Sequence, residues 1–210
     1  MIYELRKATK VESDKAYPAL FVMHGIGSNE LNMLSLVEGL EQSFFIFSVR
    51  GHLSHPPGFA YFTIERFGKP HKDNFDQGME QLESFIEYAC AKYPLDRSQI
   101  FLLGFSQGAI SAMTLGIKLG DRINGVVALS GYIPEFVKDE YAQVPLNELR
   151  LFISHGEVDE VLPFEWGLAN QEYFNQKGAS VTFRTYPVGH TVSLQNKEEF
   201  TDWLLDNVTK

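Results

Sequence analysis

Short apolar runs at residues 19–23, 44–49, 100–103, 126–129, 151–154 and 181–186 punctuate the chain. Most are continuous rather than alternating, the pattern of strands buried on both faces of a parallel sheet. Between them the apolar spacing turns helical. One helix is expected to start at a cap formed by Asp73 or Asn74, to carry Phe75, Met79, Leu82, Phe85, Ile86 and Ala89 on one face, and to stop before Pro94. A second has Ala109, Ile110, Met113 and Ile117 on its face and ends at Gly120; a third runs from about Leu194 to the end, with Phe200, Trp203, Leu204 and Val208 apolar. Strands alternating with helices predict an α/β sheet covered by helices on both faces. With no internal repeat, low-complexity tract or linker, residues 1–210 are read as a single domain.

The bulk numbers remove several classes of function. A net charge of -9 argues against a nucleic-acid backbone or an anionic membrane surface, both of which attract clustered Lys and Arg. No apolar run approaches the roughly 18 residues of a membrane span, and Met1 to Lys7 lacks an apolar signal core. No stable membrane insertion is expected, and a cytoplasmic location is. Cys90 is the only cysteine, so no internal disulfide can form; it falls on the apolar face of the helix after Asn74 and reads as a small core residue.

The chemistry centres on Gly104-Phe105-Ser106-Gln107-Gly108, directly after the run 100–103 and before a helical pattern. A strand that passes straight into a helix through so sharp a turn strains its central residue, and small flanking residues leave room for it. Ser106 would then stand at the carboxyl end of the sheet beside free helix N–H groups that favour developing negative charge. A serine nucleophile needs a base, and the base needs a carboxylate to fix its tautomer. His190, in Val188-Gly189-His190 between the last strand and the last helix, is the best placed of the six histidines. The acid is expected in His155-Gly156-Glu157-Val158-Asp159-Glu160, which follows the run 151–154. Asp159 is preferred there, with Glu157 and Glu160 as rivals. The order Ser106, Asp159, His190 is that of the α/β-hydrolase arrangement. For the oxyanion, the Gln107 N–H supplies one donor, and the Ile26 N–H in His24-Gly25-Ile26-Gly27 after the first run is assigned as the other.

Together these motifs resemble the phospholipase/carboxylesterase family of small α/β-hydrolases, which includes acyl-protein thioesterases and bacterial carboxylesterases. The likeness covers nearly the whole chain, through HGIG at 24–27, Ser48-Val49-Arg50-Gly51, GFSQG at 104–108, HGEVDEVLP at 155–163 and Gly189-His190. It implies Ser106, Asp159 and His190 as triad, Ile26 and Gln107 as oxyanion donors, and turnover of carboxylic esters or thioesters without cofactor or metal. It also implies a small-molecule substrate with an apolar acyl group and, as in many members, a homodimer. Two departures make a generic carboxylesterase or lysophospholipase a better expectation than a thioesterase on acylated protein. Ser28-Asn29-Glu30 stands where many relatives have Asp soon after the second glycine, and Glu157 stands where relatives often have Asp.

Rival readings remain at this stage. A hydrolase fold that only binds a small molecule or partner has no need of nucleophile, base, acid and oxyanion donors together. A dienelactone-type lactone hydrolase would typically carry Cys at the elbow, where this chain has Ser106. The aromatic stretch 56–68 reads either as the wall of an acyl pocket or lid, or as core closing a sheet edge. His52, His55 and His71 lack acidic or thiolate ligands at matching spacing and read as loop histidines rather than a zinc site.

Overall fold

A computed structural model of the chain describes residues 1–208 apart from 10, 11, 13, 142 and 143. All six apolar runs are strands, and they form the body of one seven-stranded sheet. In chain order the elements are β1 (Tyr3–Arg6), β2 (Tyr17–Met23), β3 (Phe45–Val49), β4 (Leu53–His55), β5 (Gly58–Ala60), β6 (Ile64–Arg66), β7 (Lys69–Pro70), α1 (Lys72–Lys92), β8 (Leu95–Phe105), α2 (Gln107–Leu119), β9 (Gly125–Leu129), α3 (Glu135–Glu140), β10 (Arg150–Gly156), α4 (Phe164–Gln176), β11 (Ser180–Tyr186) and α5 (Leu194–Asn207). The sheet order is β1-β3-β2-β8-β9-β10-β11. Every neighbouring pair is parallel except β1 with β3.

Continuous hydrophobicity in these strands serves two cores. On β2, Ala19, Phe21 and Met23 face a core shared with Phe75, Met79 and Phe85 of α1, Ile110 and Met113 of α2 and Phe174 of α4. Leu20 and Val22 face a second core with Met33, Val37, Phe44, Phe101 and the α5 residues Phe200 and Leu204. This is the α/β-hydrolase architecture, with a mostly parallel sheet and helices on both faces. From β2 the chain runs to β3 on one side, and β8 to β11 then build outward on the other. The order in which strands are added therefore reverses between the parallel neighbours β2 and β8, and the crevice beyond the carboxyl ends of two such strands is where open α/β sheets bind ligands.

Several boundaries differ from expectation. α1 begins at Lys72 with His71 at its N-cap and no side-chain cap, one turn ahead of a cap at Asn74. Asp73 lies instead in the first turn, where its charge complements the free N–H groups. The segment after β2 makes successive turns and a single 3-10 turn at Leu40–Gln42 before β3. α5 matches its expected start, capped by the Ser193 hydroxyl accepting from the Asn196 N–H at 3.1 Å, and ends at Asn207; residues 209 and 210 lie outside the described residues. β1, the two hairpins β4–β5 and β6–β7, and α3 and α4 carry too few residues or too weak a period to be read from sequence.

Part of stretch 56–68 takes the core-closing role expected of it. Tyr61 and Phe62 are fully buried and close the core, while Phe67, 65% exposed, caps the β6–β7 hairpin. Its Phe59 pairs with Ser28 in an isolated bridge, so the β4–β5 hairpin is laced to the loop after β2.

Candidate active site

Ser106 sits between β8 and α2 at φ 54, a left-handed conformation costly for a residue with a Cβ. The flanking glycines explain how the turn closes. A Cβ on Gly104 would lie 2.1 Å from the Gly108 carbonyl oxygen, and one on Gly108 would lie 2.1 Å from that of Met23. The Ser106 N–H donates to the Leu129 carbonyl at 2.9 Å, which anchors the turn to the end of β9. The Gln107 N–H belongs to the first turn of α2, where no preceding carbonyl is available to it.

Three residues far apart in sequence converge here. The Ser106 hydroxyl is 2.9 Å from His190 Nε2, and His190 Nδ1 is 2.7 Å from Asp159 Oδ2. The other Asp159 oxygen accepts from the Val161 and Leu162 N–H groups at 2.8 and 2.9 Å. Burial pushes the Asp159 carboxyl upward, but these hydrogen bonds and the His190 ring outweigh it and hold the group below the ordinary carboxylate value. Asp159 therefore presents an anion to His190. The rivals point elsewhere: Glu157 accepts from the Thr185 hydroxyl at 2.7 Å, and Glu160 is exposed.

The loop carrying Ile26 passes beside the serine, since a Cβ on Gly25 would come within 3.4 Å of Ser106 Cβ. Residues 25–28 form a turn closed by the Ser28 N–H on the Gly25 carbonyl, with Gly27 at φ 75, and the Gly27 N–H is spent on Phe59. The Ile26 N–H occupies a turn position that makes no bond within the turn. His24 locks the base of this loop: Nδ1–H donates to the Gly25 carbonyl at 2.7 Å and Nε2 accepts from the Gly51 N–H at 2.9 Å. Burial lowers its pKa.

Sequence reasoning missed the side chains that brace this ground. Gln107 Oε1 accepts from the Tyr61 N–H at 2.7 Å and its amide donates to the Phe62 carbonyl at 2.9 Å, tying the elbow to the segment after β5. Glu30 forms a part-buried two-point ion pair with Arg50, one contact of which is 2.6 Å. Arg50 stacks 4.5 Å over Phe59, and the Ser48 hydroxyl donates to the Glu30 carbonyl. The only sequence signal was the placement of Arg50 in a motif segment.

The bond to Arg50 holds the Glu30 carboxyl below its ordinary value. A depressed acid stabilises the fold above its unfolded pKa and loses that contribution as pH falls through the folded value. Glu30→Gln is therefore expected to lower stability by about 2 kcal/mol at pH 7, with the gap closing below about pH 4. Urea unfolding at both pH values checks it. A gap that persists in acid would assign the loss to packing instead.

A cavity of about 620 Å³ opens between the β6–β7 hairpin, the segment after β9 and α4, and none of Ser106, Asp159 and His190 lines it. Phe67 and Tyr132 lie against Trp166 with ring centroids 4.8 and 4.7 Å away. Asn170 fixes this wall, accepting from the Ile133 N–H and donating to the Gly131 carbonyl. Of the other histidines, His55 and His71 are exposed and His52 is half-buried against Gly78. Among the described residues no cluster of His, Cys, Asp and Glu has metal-binding geometry.

The model of the phospholipase/carboxylesterase family matches residues 6–205. The chain belongs to that family. It is similar to the acyl-protein thioesterase 1 of Debaryomyces hansenii, 33% identical over 72% of this chain and 68% of that one. It is also similar to the protein of that name from Candida albicans, 36% identical over 68% and 65%. Among solved structures, the Bacillus cereus carboxylesterase superposes with a TM-score of 0.86 over 98% of this chain and 94% of that one, at 23% identity. By family and fold the chain is an ester-hydrolysing enzyme of the α/β-hydrolase type, and among its described residues no helix is long and apolar enough to cross a membrane.

Proposed function

We propose that this family member is a serine carboxylesterase that works through an acyl-enzyme on Ser106. The observation that carries the reading is the unbroken hydrogen-bond chain from Ser106 through His190 to Asp159, at 2.9 and 2.7 Å, starting from a serine in a strained turn. His190 Nε2 takes the hydroxyl proton as Oγ attacks the ester carbonyl carbon, and Asp159 steadies the resulting imidazolium. The carbonyl oxygen becomes an anion held by the Ile26 and Gln107 N–H groups. His190 then protonates the departing alkoxide. Water, deprotonated by the same imidazole, attacks the acyl-enzyme and releases the acid and Ser106. The residues of this scheme require no cofactor, and we place it in one domain acting in the cytoplasm.

The acyl group is assigned to the cavity that carries the aromatic side chains of Phe67, Tyr132 and Trp166, whose lining also includes the charged Arg66, Lys69, Glu135, Lys138 and Asp139. The exposed side chains of Val158, Val161 and Leu194 add apolar surface on the loops carrying the acid and the base. Phe67→Ala is expected to cut kcat/KM for p-nitrophenyl octanoate by roughly tenfold, with the acetate within about twofold of wild type. Equal losses on both esters would remove Phe67 from the acyl site.

A second reading is a thioesterase acting on acylated protein, favoured by the names of the fungal relatives at 33% and 36% identity. A fluorophosphonate probe, with the adduct located by mass spectrometry, tests the nucleophile. Parallel turnover of matched oxygen esters and thioesters separates the two substrates. Labelling anywhere but Ser106 would overturn both readings.

A further inference from the structure

The acid of the site is bracketed by two histidines, and the catalytic scheme uses only one. His155, at the end of β10, is fully buried with Asp159, and its Nε2 lies 3.6 Å from Asp159 Oδ2, the same oxygen that receives His190. That separation is too long for a hydrogen bond. The His155 Nε2–H instead donates to the Leu162 carbonyl at 3.0 Å. Leu162 in turn offers its own N–H to Asp159 Oδ1. The ring thus closes the loop from Asp159 to Leu162 at its far end, while its edge walls the near oxygen of the carboxylate. Its opposite face has no freedom: a Cβ on Gly167 of α4 would stand 2.9 Å from His155 Cβ and Nδ1. Nδ1 has no hydrogen-bond partner among the described residues, so Nε2 carries the ring's one hydrogen bond there.

We propose that His155 is a positioning residue, holding the 159–162 loop so that Asp159 Oδ2 has a single bonded partner, His190; this rests on reading Asp159 and His190 as orienting acid and base. A carboxylate held by two loop N–H groups on one oxygen turns whenever that loop shifts. Among the described residues, His155 is the only side chain of the sheet that hydrogen-bonds Leu162. Loosening it leaves substrate contacts intact and degrades the orientation of the base, a loss that falls on kcat rather than KM.

The test compares His155→Leu with His155→Gln, whose amide Nε2 reaches the position of the imidazole Nε2. Each is assayed on p-nitrophenyl butyrate with rates normalised to fluorophosphonate-titrated sites. The low-field proton NMR signal of the His190–Asp159 bond is recorded alongside. The leucine variant is expected to lose about tenfold in kcat with KM within about twofold, and to broaden the low-field signal. The glutamine variant should recover most of both. Wild-type kcat per titrated site and an unaltered signal in His155→Leu, with only a lowered Tm, would overturn the proposal. If His155→Leu does not fold, Gly167→Ala presses on the same ring with the imidazole still present, and wild-type kcat in that variant would overturn it equally. The signal reads the His190–Asp159 bond without turnover. A wild type that shows it but hydrolyses no ester would sink the esterase reading, and the signals of the variants would still decide the role of His155.

Discussion

Ser106→Ala is expected to reduce ester turnover by roughly 10⁴-fold or more while leaving the fold intact, because the hydroxyl is the only atom of the site that can form the acyl bond. Its side chain makes one hydrogen bond, to His190, and the anchoring bond from its N–H to the Leu129 carbonyl does not involve the side chain. Alanine keeps the Cβ and hence the strain at φ 54. Ser106→Gly should be equally inactive yet more stable by about 1 kcal/mol, since glycine adopts that conformation without penalty. Steady-state rates with urea unfolding of both variants check the pair. An alanine variant with a tenth of wild-type turnover would move the nucleophile elsewhere, and a glycine variant less stable than alanine would mean that the turn holds no strain.

Asp159→Asn should cost nearly as much, on the order of 10³- to 10⁴-fold in kcat, through a proton in the wrong place. Oδ1 accepts from two backbone N–H groups, so an asparagine must keep its carbonyl oxygen on that side. Its NH₂ then faces His190 Nδ1, which at present donates to Oδ2 across 2.7 Å. To avoid opposed donors the imidazole moves its proton to Nε2, the nitrogen that must accept from Ser106. Rates at alkaline pH should not recover, because the tautomer and not the charge is at fault. The carboxylate also stabilises the fold: held below its ordinary pKa, it contributes above its unfolded value, and the contribution fades as pH falls through the folded one. An asparagine variant within tenfold of wild type would show that another group orients the base.

The local signals in the chain were strong where a single element imposes them. The strand run 100–103, the glycines at 104 and 108 and the helical spacing after them name a strand-turn-helix because each is a nearest-neighbour constraint. The later loops of Asp159 and His190 were legible through their place after strands. The choice of Asp159 over Glu157 and Glu160 was not settled by spacing, since successive loop carboxylates differ only in where the backbone aims them.

Long-range partners stayed hidden. Nothing local to Gln107 says that its amide bridges Tyr61 and Phe62, nor that Glu30 reaches Arg50 twenty residues on. The cavity wall draws Phe67, Tyr132 and Trp166 from three separate segments, and only the first was noticed as an aromatic candidate. The cap of α1 was misplaced because Asp73 and Asn74 are favoured both at a cap and in turns, and the pairing of β6 with β7 delivers the chain at Lys72.

By itself the sequence determined the layering and the strand and helix succession, and it singled out Ser106 as the candidate nucleophile, through hydrophobic period and glycine placement, which act over a few residues. The tertiary structure decided which carboxylate lies against His190 and which side chains brace the loop after β2, because those depend on hydrogen bonds and contacts that form only once distant loops are brought together at the carboxyl edge of the sheet.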